Sequence, residues 1–329
     1  MPRIVRFHEL GGPEVLKIEE VEIAPLGTGE IEIAVKALGI NRAESMFRSG
    51  PYVETPVFPA RLGYEAAGVV TKIGSGVEGF AIGDAISIVP PLSITRWGAY
   101  GEVATVPASV AVKHPASLGF VEAAAVWMQY VTAYGALAEI ANVQKGDAVL
   151  VTAASSSVGL AAIQVTRRLG GIPVAATRTR AKAEALRKAG AAHVVVTDEQ
   201  DLAEGVMAAT DGKGARVAFD PVAGPALEGV FGAMAQNGIV IEYGALSPDA
   251  SPLPLFPLLV KNLTVMGYQY KEVLRDAGRF ERAKAFILAG LADGSLKPVI
   301  DRVFPLDQIV EAHRYLESNQ QFGKIVVTV

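Results

Sequence analysis

The feature that most limits what this chain can fold into is a regular alternation of short apolar strands and helices that begins at Asp147. Residues 148–152 read as strand, 160–169 as an amphipathic helix and 172–177 as strand. Residues 181–189 read as a helix ended by Gly190, and 193–197 as strand. Later strands fall at 216–220 and 239–243 with a helix over 226–236 between them, and a further helix over 279–291 is ended by Gly294. Strands that alternate with helices in this way predict a parallel sheet covered on both faces and built from right-handed crossovers.

The first 120 or so residues have a different texture. Residues 31–37 (IEIAVKA) alternate as a half-buried strand does, 63–73 form another strand candidate before the turn Gly74-Ser75-Gly76, and Gly83-Asp84 opens the apolar run 85–89. Closely spaced strands with Gly and Pro turns predict a compact, barrel-like β unit. Residues 121–141 read as helical. The tail from Pro298 returns to strand-rich sequence and closes on KIVVTV, residues 324–329. A strand there needs a sheet to join, and the N-terminal β unit is the expected host. The reading is an α/β protein of two domains, 1–122 with 296–329 and 123–295, which suits 329 residues at roughly 150 per domain.

Composition removes several classes of function. A net charge of −4 supplies no broad basic field, so nucleic acid and anionic membrane are poor partners. The absence of cysteine excludes disulfides, thiolate nucleophiles and cysteine-ligated zinc, and fits a reducing compartment. The N-terminal sequence MPRIVRFH lacks the pattern of a signal peptide, and no apolar stretch reaches the roughly 18 residues of a membrane span. A cytoplasmic protein is expected. His8, His114, His193 and His313 are scattered without metal-ligand spacing, so no metal site is expected.

The segment DAVLVTAASSSVGLAAIQVTRRLGG, residues 147–171, runs a buried strand into a loop of small residues and then a helix. That is the layout of a dinucleotide crossover, in which free N–H groups and the helix dipole face a diphosphate. Against GxGxxG only the third glycine survives, as Gly159, while Ala154 and Ser156 replace the first two. Ser155, Ser156, Ser157, Val158 and Gly159 are therefore the candidate diphosphate-binding residues, and an ordinary βαβ unit packed through small residues is the alternative for this loop alone. After the second strand, where an NAD-specific site places a ribose-binding carboxylate, the chain has Arg178, Arg180 and Lys182 and no acid. Cations there favour a 2′-phosphate, so NADPH is the expected cofactor. Gly244 and Ala245, directly after the strand at 239–243, are further candidates for cofactor contact.

Several motifs, in order, resemble a known family. They are Gly39-Ile-Asn41-Arg-Ala-Glu44, Arg48-Ser-Gly50-Pro-Tyr52, Gly63-Tyr-Glu65-Ala-Ala-Gly68-Val-Val, Val77 through Gly83-Asp84, Ala153 through Gln164, and Gly323-Lys324-Ile-Val-Val. Together they resemble the zinc-free, zeta-crystallin-like quinone oxidoreductase branch of the medium-chain dehydrogenase/reductases over nearly the whole chain. The resemblance implies a GroES-like β-rich catalytic domain and a doubly wound Rossmann domain, with the active cleft between them. It further implies that Asn41 and Tyr52 lie near nicotinamide and substrate and that Thr132 lines the nicotinamide. Zinc-dependent relatives carry a cysteine near Asn41 and a histidine after Gly63; here those positions are Asn41 and Tyr64.

Without a Lewis acid, the acceptor must be activated by its own conjugation and by hydrogen bonds, which favours quinones and α,β-unsaturated carbonyls. Asn41, Tyr52 and Tyr64 are the candidate polar groups for that work. The plainer readings are turn chemistry for Asn41, a packed loop aromatic for Tyr52 and core for Tyr64. Arg42 and Glu44 read as a structural ion pair or solvated charges. A quinone reductase is the leading expectation, an enone or enoyl-thioester reductase the second, and a cofactor-binding structural protein the third. The apolar late strand at 262–268 (NLTVMGY) predicts an edge that a second subunit covers, hence a homodimer.

Overall fold

The computed structural model describes all 329 residues. They form two compact units, Met1–Met128 with Pro298–Val329, and Gln129–Lys297.

The first unit is built on the eleven-residue strand Glu30–Ile40. Along one edge it pairs with Glu65–Ile73; along the other, its first half takes Val103–Pro107 and its second half Lys324–Thr328. One strand serving two neighbours on the same edge bends the sheet, and register shifts after Glu32 and Val35 mark the bend. The alternation Ile31, Ile33 and Val35 is wholly buried, as period-2 reading predicts. Gly68 is required here, because a side chain would run into the Ala34 carbonyl. The strand at the C-terminal end joins this sheet antiparallel to Glu30–Ile40 and also pairs in parallel with Ile300–Pro305. The tail is less strand-rich than its sequence suggests. Between those strands lies the helix Ile309–Glu317, whose buried Ile309, Ala312, His313 and Leu316 recur at i, i+3, i+4 and i+7.

The second unit holds six parallel strands: β1 (Ala148–Val151), β2 (Ile172–Thr177), β3 (His193–Val196), β4 (Ala215–Asp220), β5 (Met234–Glu242) and β6 (Thr264–Gly267). Their order in the sheet is 3-2-1-4-5-6, reversing direction between β1 and β4. Leu150, Val174, Val195, Ala218 and Val240 form the sheet side of a core closed by Val206, Val230 and Phe231.

Other helices also depart from expectation. The one expected over 226–236 spans only Leu227–Gly232, because Ala233 and Met234 are buried and β5 begins there, with Asn237 at φ 59° where the register shifts. The helix Leu202–Ala209 is hidden in the sequence by Gly205, where a side chain would meet Val195 at 2.7 Å. The continuous helix expected over 121–141 is instead Phe120–Ala123 and Trp127–Tyr134, continued by a wider π-type turn over Gly135–Ile140. No helix is long and apolar enough to cross a membrane.

Candidate functional site

In the second unit the connection from β1 to the helix Ser157–Arg168 turns beside the strand-order reversal. Ser156 is the N-cap, its Oγ accepting from the Gly159 N–H at 3.0 Å. The hydroxyl proton of Ser156 remains a donor, so capping and ligand binding are compatible. A side chain at Gly159 would lie 2.7 Å from the Ala153 carbonyl oxygen and from Ala154 Cα, which explains why this glycine survives when the first two do not. The turn is tightened by Ala153, a non-glycine residue at φ 44° that the sequence reading did not single out. Small side chains at 153–157 and the first N–H groups of a twelve-residue helix, which lack intrahelical acceptors, fit the diphosphate of a nicotinamide dinucleotide.

The cations after β2 separate in space. Lys182 reaches back to this turn, with Nζ 3.3 Å from Ser155 Oγ. Arg178 is exposed. Arg180 is also exposed, and both its Nε, at 2.9 Å, and its Nη2 donate to the Glu199 carboxylate. The segment itself lacks an acid, but the fold supplies one from the residues after β3, which linear reading missed. Thr132 is buried in the helix Trp127–Tyr134. Gly244 packs on Pro221, where a Cβ would lie 2.8 Å from the carbonyl oxygen, and Ala245 is exposed.

Sequence reading also missed a partly buried polar row at the carboxyl ends of the central strands. Asp220 and Glu242 are direct neighbours across β4 and β5. The Thr152 hydroxyl donates to Asp220 Oδ1, and the Ala223 N–H donates to Oδ2 at 2.7 Å. Tyr243 follows, its ring stacked on Phe219 with centroids 3.9 Å apart. The signal was a pair of acids, each directly after a short apolar run, residues 217–219 and 239–241.

In the first unit Asn41 caps the helix Arg42–Ser49. The Glu44 side chain turns back to accept from the Asn41 N–H at 2.7 Å, from the Tyr64 N–H at 2.7 Å and from the Tyr100 hydroxyl at 2.5 Å. Burial pushes the Glu44 carboxyl up to about 7 against these donors. The expected Arg42–Glu44 ion pair is therefore not formed: capping draws Glu44 inward, while Arg42 donates to the Leu316 carbonyl at 2.7 Å and to Asn319. Asn41 Oδ1 accepts from Lys324 Nζ at 2.6 Å, and buried Lys324 also pairs with buried Glu65.

On this scaffold two phenols meet. The Tyr52 and Tyr64 hydroxyls lie 2.6 Å apart, with Tyr64 fully buried and Tyr52 partly exposed. Phe47 packs edge-on against Tyr52. Burial pushes the Tyr52 phenol up to about 12, so it is a neutral O–H donor at ordinary pH. No three His, Asp or Glu side chains are grouped to hold a metal ion.

A doubly wound sheet that carries a dinucleotide turn at its reversal, in a chain whose β unit presents neutral hydroxyl donors, defines an oxidoreductase. Residues 27–116 match the family model described as an alcohol dehydrogenase GroES-like domain, and residues 189–327 the model described as a zinc-binding dehydrogenase. The chain is 32% identical to quinone oxidoreductase 1 of Escherichia coli (strain K12) over 322 residues, covering 97% of each. It is 29% identical to a 2-haloacrylate reductase of Burkholderia sp over 335 residues, covering 98% of this chain and 97% of the relative. The crystal structure of an Escherichia coli quinone oxidoreductase complexed with NADPH superposes with a TM-score of 0.91 at 30% identity, covering 99% of this chain and 100% of the other. The chain belongs to the quinone oxidoreductase branch of the medium-chain dehydrogenase/reductase superfamily.

Proposed function

We propose that this protein is a metal-independent, NADPH-dependent quinone reductase. The observation that carries the reading is the Tyr52–Tyr64 hydroxyl pair, a neutral donor 2.6 Å from a second phenol, Tyr64, which stands where zinc-dependent relatives carry a histidine. NADPH, when bound, supplies a hydride; with one proton from solvent it reduces a quinone to the hydroquinone. Tyr52 donates to the acceptor's oxygen as negative charge develops there. Tyr64 fixes the direction of the Tyr52 hydroxyl, and Asn41, anchored by Lys324, holds the groups around it in register. Residues 1–122 with 296–329 serve as the catalytic domain and 123–295 as the cofactor domain.

Preference for NADPH rests on Lys182 and Arg178, with Arg180 a weaker contributor because Glu199 competes for it. Ser155, Ser156, Ser157, Val158 and Gly159 hold the diphosphate, and Thr132, Gly244 and Ala245 complete the cofactor contacts. A cysteine-free chain of net charge −4 suits a cytoplasmic enzyme of small molecules. We also infer a homodimer. The outer strand β6 is exposed along its length, and the helix Leu255–Val260 before it leaves Phe256 83% and Leu259 73% exposed. A two-fold partner adding its own edge covers both.

Steady-state NADPH oxidation with 1,4-benzoquinone, 9,10-phenanthrenequinone and a simple alkenal tests the activity. Faster turnover of the quinones is expected. Preference for the alkenal would replace the quinone reading by the enone reading, and binding without turnover would leave a structural role.

A further inference from the structure

Three solvent-shielded oxygens lie beside the dinucleotide turn with no backbone donor and no well-aligned hydrogen bond: both carboxyl oxygens of Glu242, set against Asp220, and the hydroxyl of Tyr243, set against Ser156. Orphaned buried polar atoms in a folded chain call for an explanation, and a missing ligand is a common one. Their surroundings narrow it. Asp220 faces Glu242 from β4 and has taken its own donors, from Thr152 and Ala223. Tyr243 follows on the same strand and stands beside Ser156, the cap of the helix that receives the diphosphate. Gly267, opposite Glu242 on β6, brings no charge. Asp220 is thus the charged neighbour of Glu242, and Thr152, Ser156 and Tyr243 are hydroxyls.

Two carboxyls side by side in a shielded row do not both ionise readily, and Glu242, which lacks the hydroxyl and backbone donors that Asp220 has, carries the proton toward Asp220. We propose that Glu242 and Tyr243 are a proton-dependent part of the dinucleotide site: with Glu242 neutral, Tyr243 holds the Ser156 hydroxyl that is offered to the diphosphate, and ionisation of Glu242 repels it. The inference rests on the dinucleotide reading and adds two residues that the glycine-loop pattern does not contain. Burial, and then the charge of Asp220, push the Glu242 carboxyl up to about 9, so the change falls in an accessible range. Coupling is reciprocal: a bound phosphate that opposes ionisation of Glu242 is itself released by it, on the order of tenfold for like charges at close range.

The test is the NADPH dissociation constant, read by quenching of protein fluorescence between pH 7 and 9.5, for wild type, Glu242→Gln and Tyr243→Phe. Wild type should weaken on the order of tenfold across the range, Glu242→Gln should stay nearly flat, and Tyr243→Phe should bind severalfold more weakly at pH 7. Subtracting the Gln profile removes titration of the lysines common to both. Melting of the ligand-free proteins gives a second readout. The native carboxyl titrates above its unfolded value, so its contribution to stability is lost as pH rises toward about 9 in wild type but not in the Gln variant. Parallel binding profiles for wild type and Glu242→Gln, or an unchanged constant in Tyr243→Phe, would overturn the proposal. Failure of wild type to bind either NADPH or NADH at pH 7 would instead overturn the dinucleotide reading beneath it.

Discussion

Replacing Tyr52 and Tyr64 by Phe, singly and together, separates a donor from the residue that aims it. Tyr64 is fully buried and its hydroxyl is 2.6 Å from that of Tyr52, so it reaches an acceptor only through Tyr52. Removing a neutral hydrogen bond of this kind costs about 1 kcal/mol, which is roughly fivefold in kcat if it acts on the transition state alone. A fully engaged donor to developing oxyanion charge is worth about 2.7–4 kcal/mol. Tyr52 is partly exposed, so water replaces some of that, and about 2 kcal/mol, or roughly 30-fold, is expected for Tyr52→Phe with an alkenal. An electron-poor quinone, which stabilises the charge itself, should lose less. The double variant should fall only as far as Tyr52→Phe, since Tyr64 has nothing left to orient. Independent action would instead multiply the losses to about 150-fold. The assay is kcat at saturating NADPH and pH 7, where the Tyr52 phenol, pushed up to about 12, is protonated throughout. Multiplicative losses would refute the relay, and an unchanged Tyr52→Phe rate would reduce Tyr52 to packing.

Further expectations concern cofactor, metal, pH and assembly. Lys182→Ala and Arg178→Ala should each weaken NADPH by about 1–3 kcal/mol and NADH much less, while Arg180→Ala, already shared with Glu199, should do less; equal losses for both cofactors in titrations would remove the 2′-phosphate assignment. Exhaustive dialysis against a chelator should leave turnover intact, and activity restored only by zinc would contradict the mechanism. The Glu44 carboxyl has a native value of about 7, above its unfolded 4.5, so its stabilising contribution is fully present below about 4.5 and lost as pH rises to about 7. The stability gap between wild type and Glu44→Gln should therefore narrow by up to about 3 kcal/mol over that window; parallel melting curves would contradict the burial argument. Light scattering should show a dimer at micromolar concentration, and a monomer would leave the β6 edge unexplained.

The six strands of the second unit and four of the first were legible, since Ile31, Ile33 and Val35 alternate and β1 (AVLV) is an uninterrupted apolar run; Arg3–Phe7, Lys17–Glu20 and Val103–Pro107 were not. Boundaries failed where tertiary packing overrode local preference. Gly205 looks like a breaker but is a close approach to Val195, and Met234 ends a helix because the core needs it in a strand. The turn at 153–159 was readable from one glycine and small residues. Its partners Glu199, Asp220 and Glu242 were not, since nothing in linear order ties an acid after β3 to a cation after β2. Tyr52 and Tyr64 were each visible; that their hydroxyls meet depends on how the chain between them closes, which no spacing rule specifies.

The buried contact from Lys324 to Asn41 spans 283 residues of sequence. At synthesis rates of ~5–20 residues per second, Lys324 emerges roughly 15–60 s after Asn41. Until then Glu65 and Asn41 lack their cation, and the second half of Glu30–Ile40 lacks the Lys324–Thr328 strand along one edge. The intervening unit, Gln129–Lys297, has no such debt to later sequence: its own sheet is complete before Ile300–Pro305 is made. The order of manufacture is thus the reverse of the order of the chain, with the half that begins the polypeptide finishing second. A nascent chain that stalled after Lys297 would carry a closed parallel sheet beside a β unit still open along one edge of Glu30–Ile40.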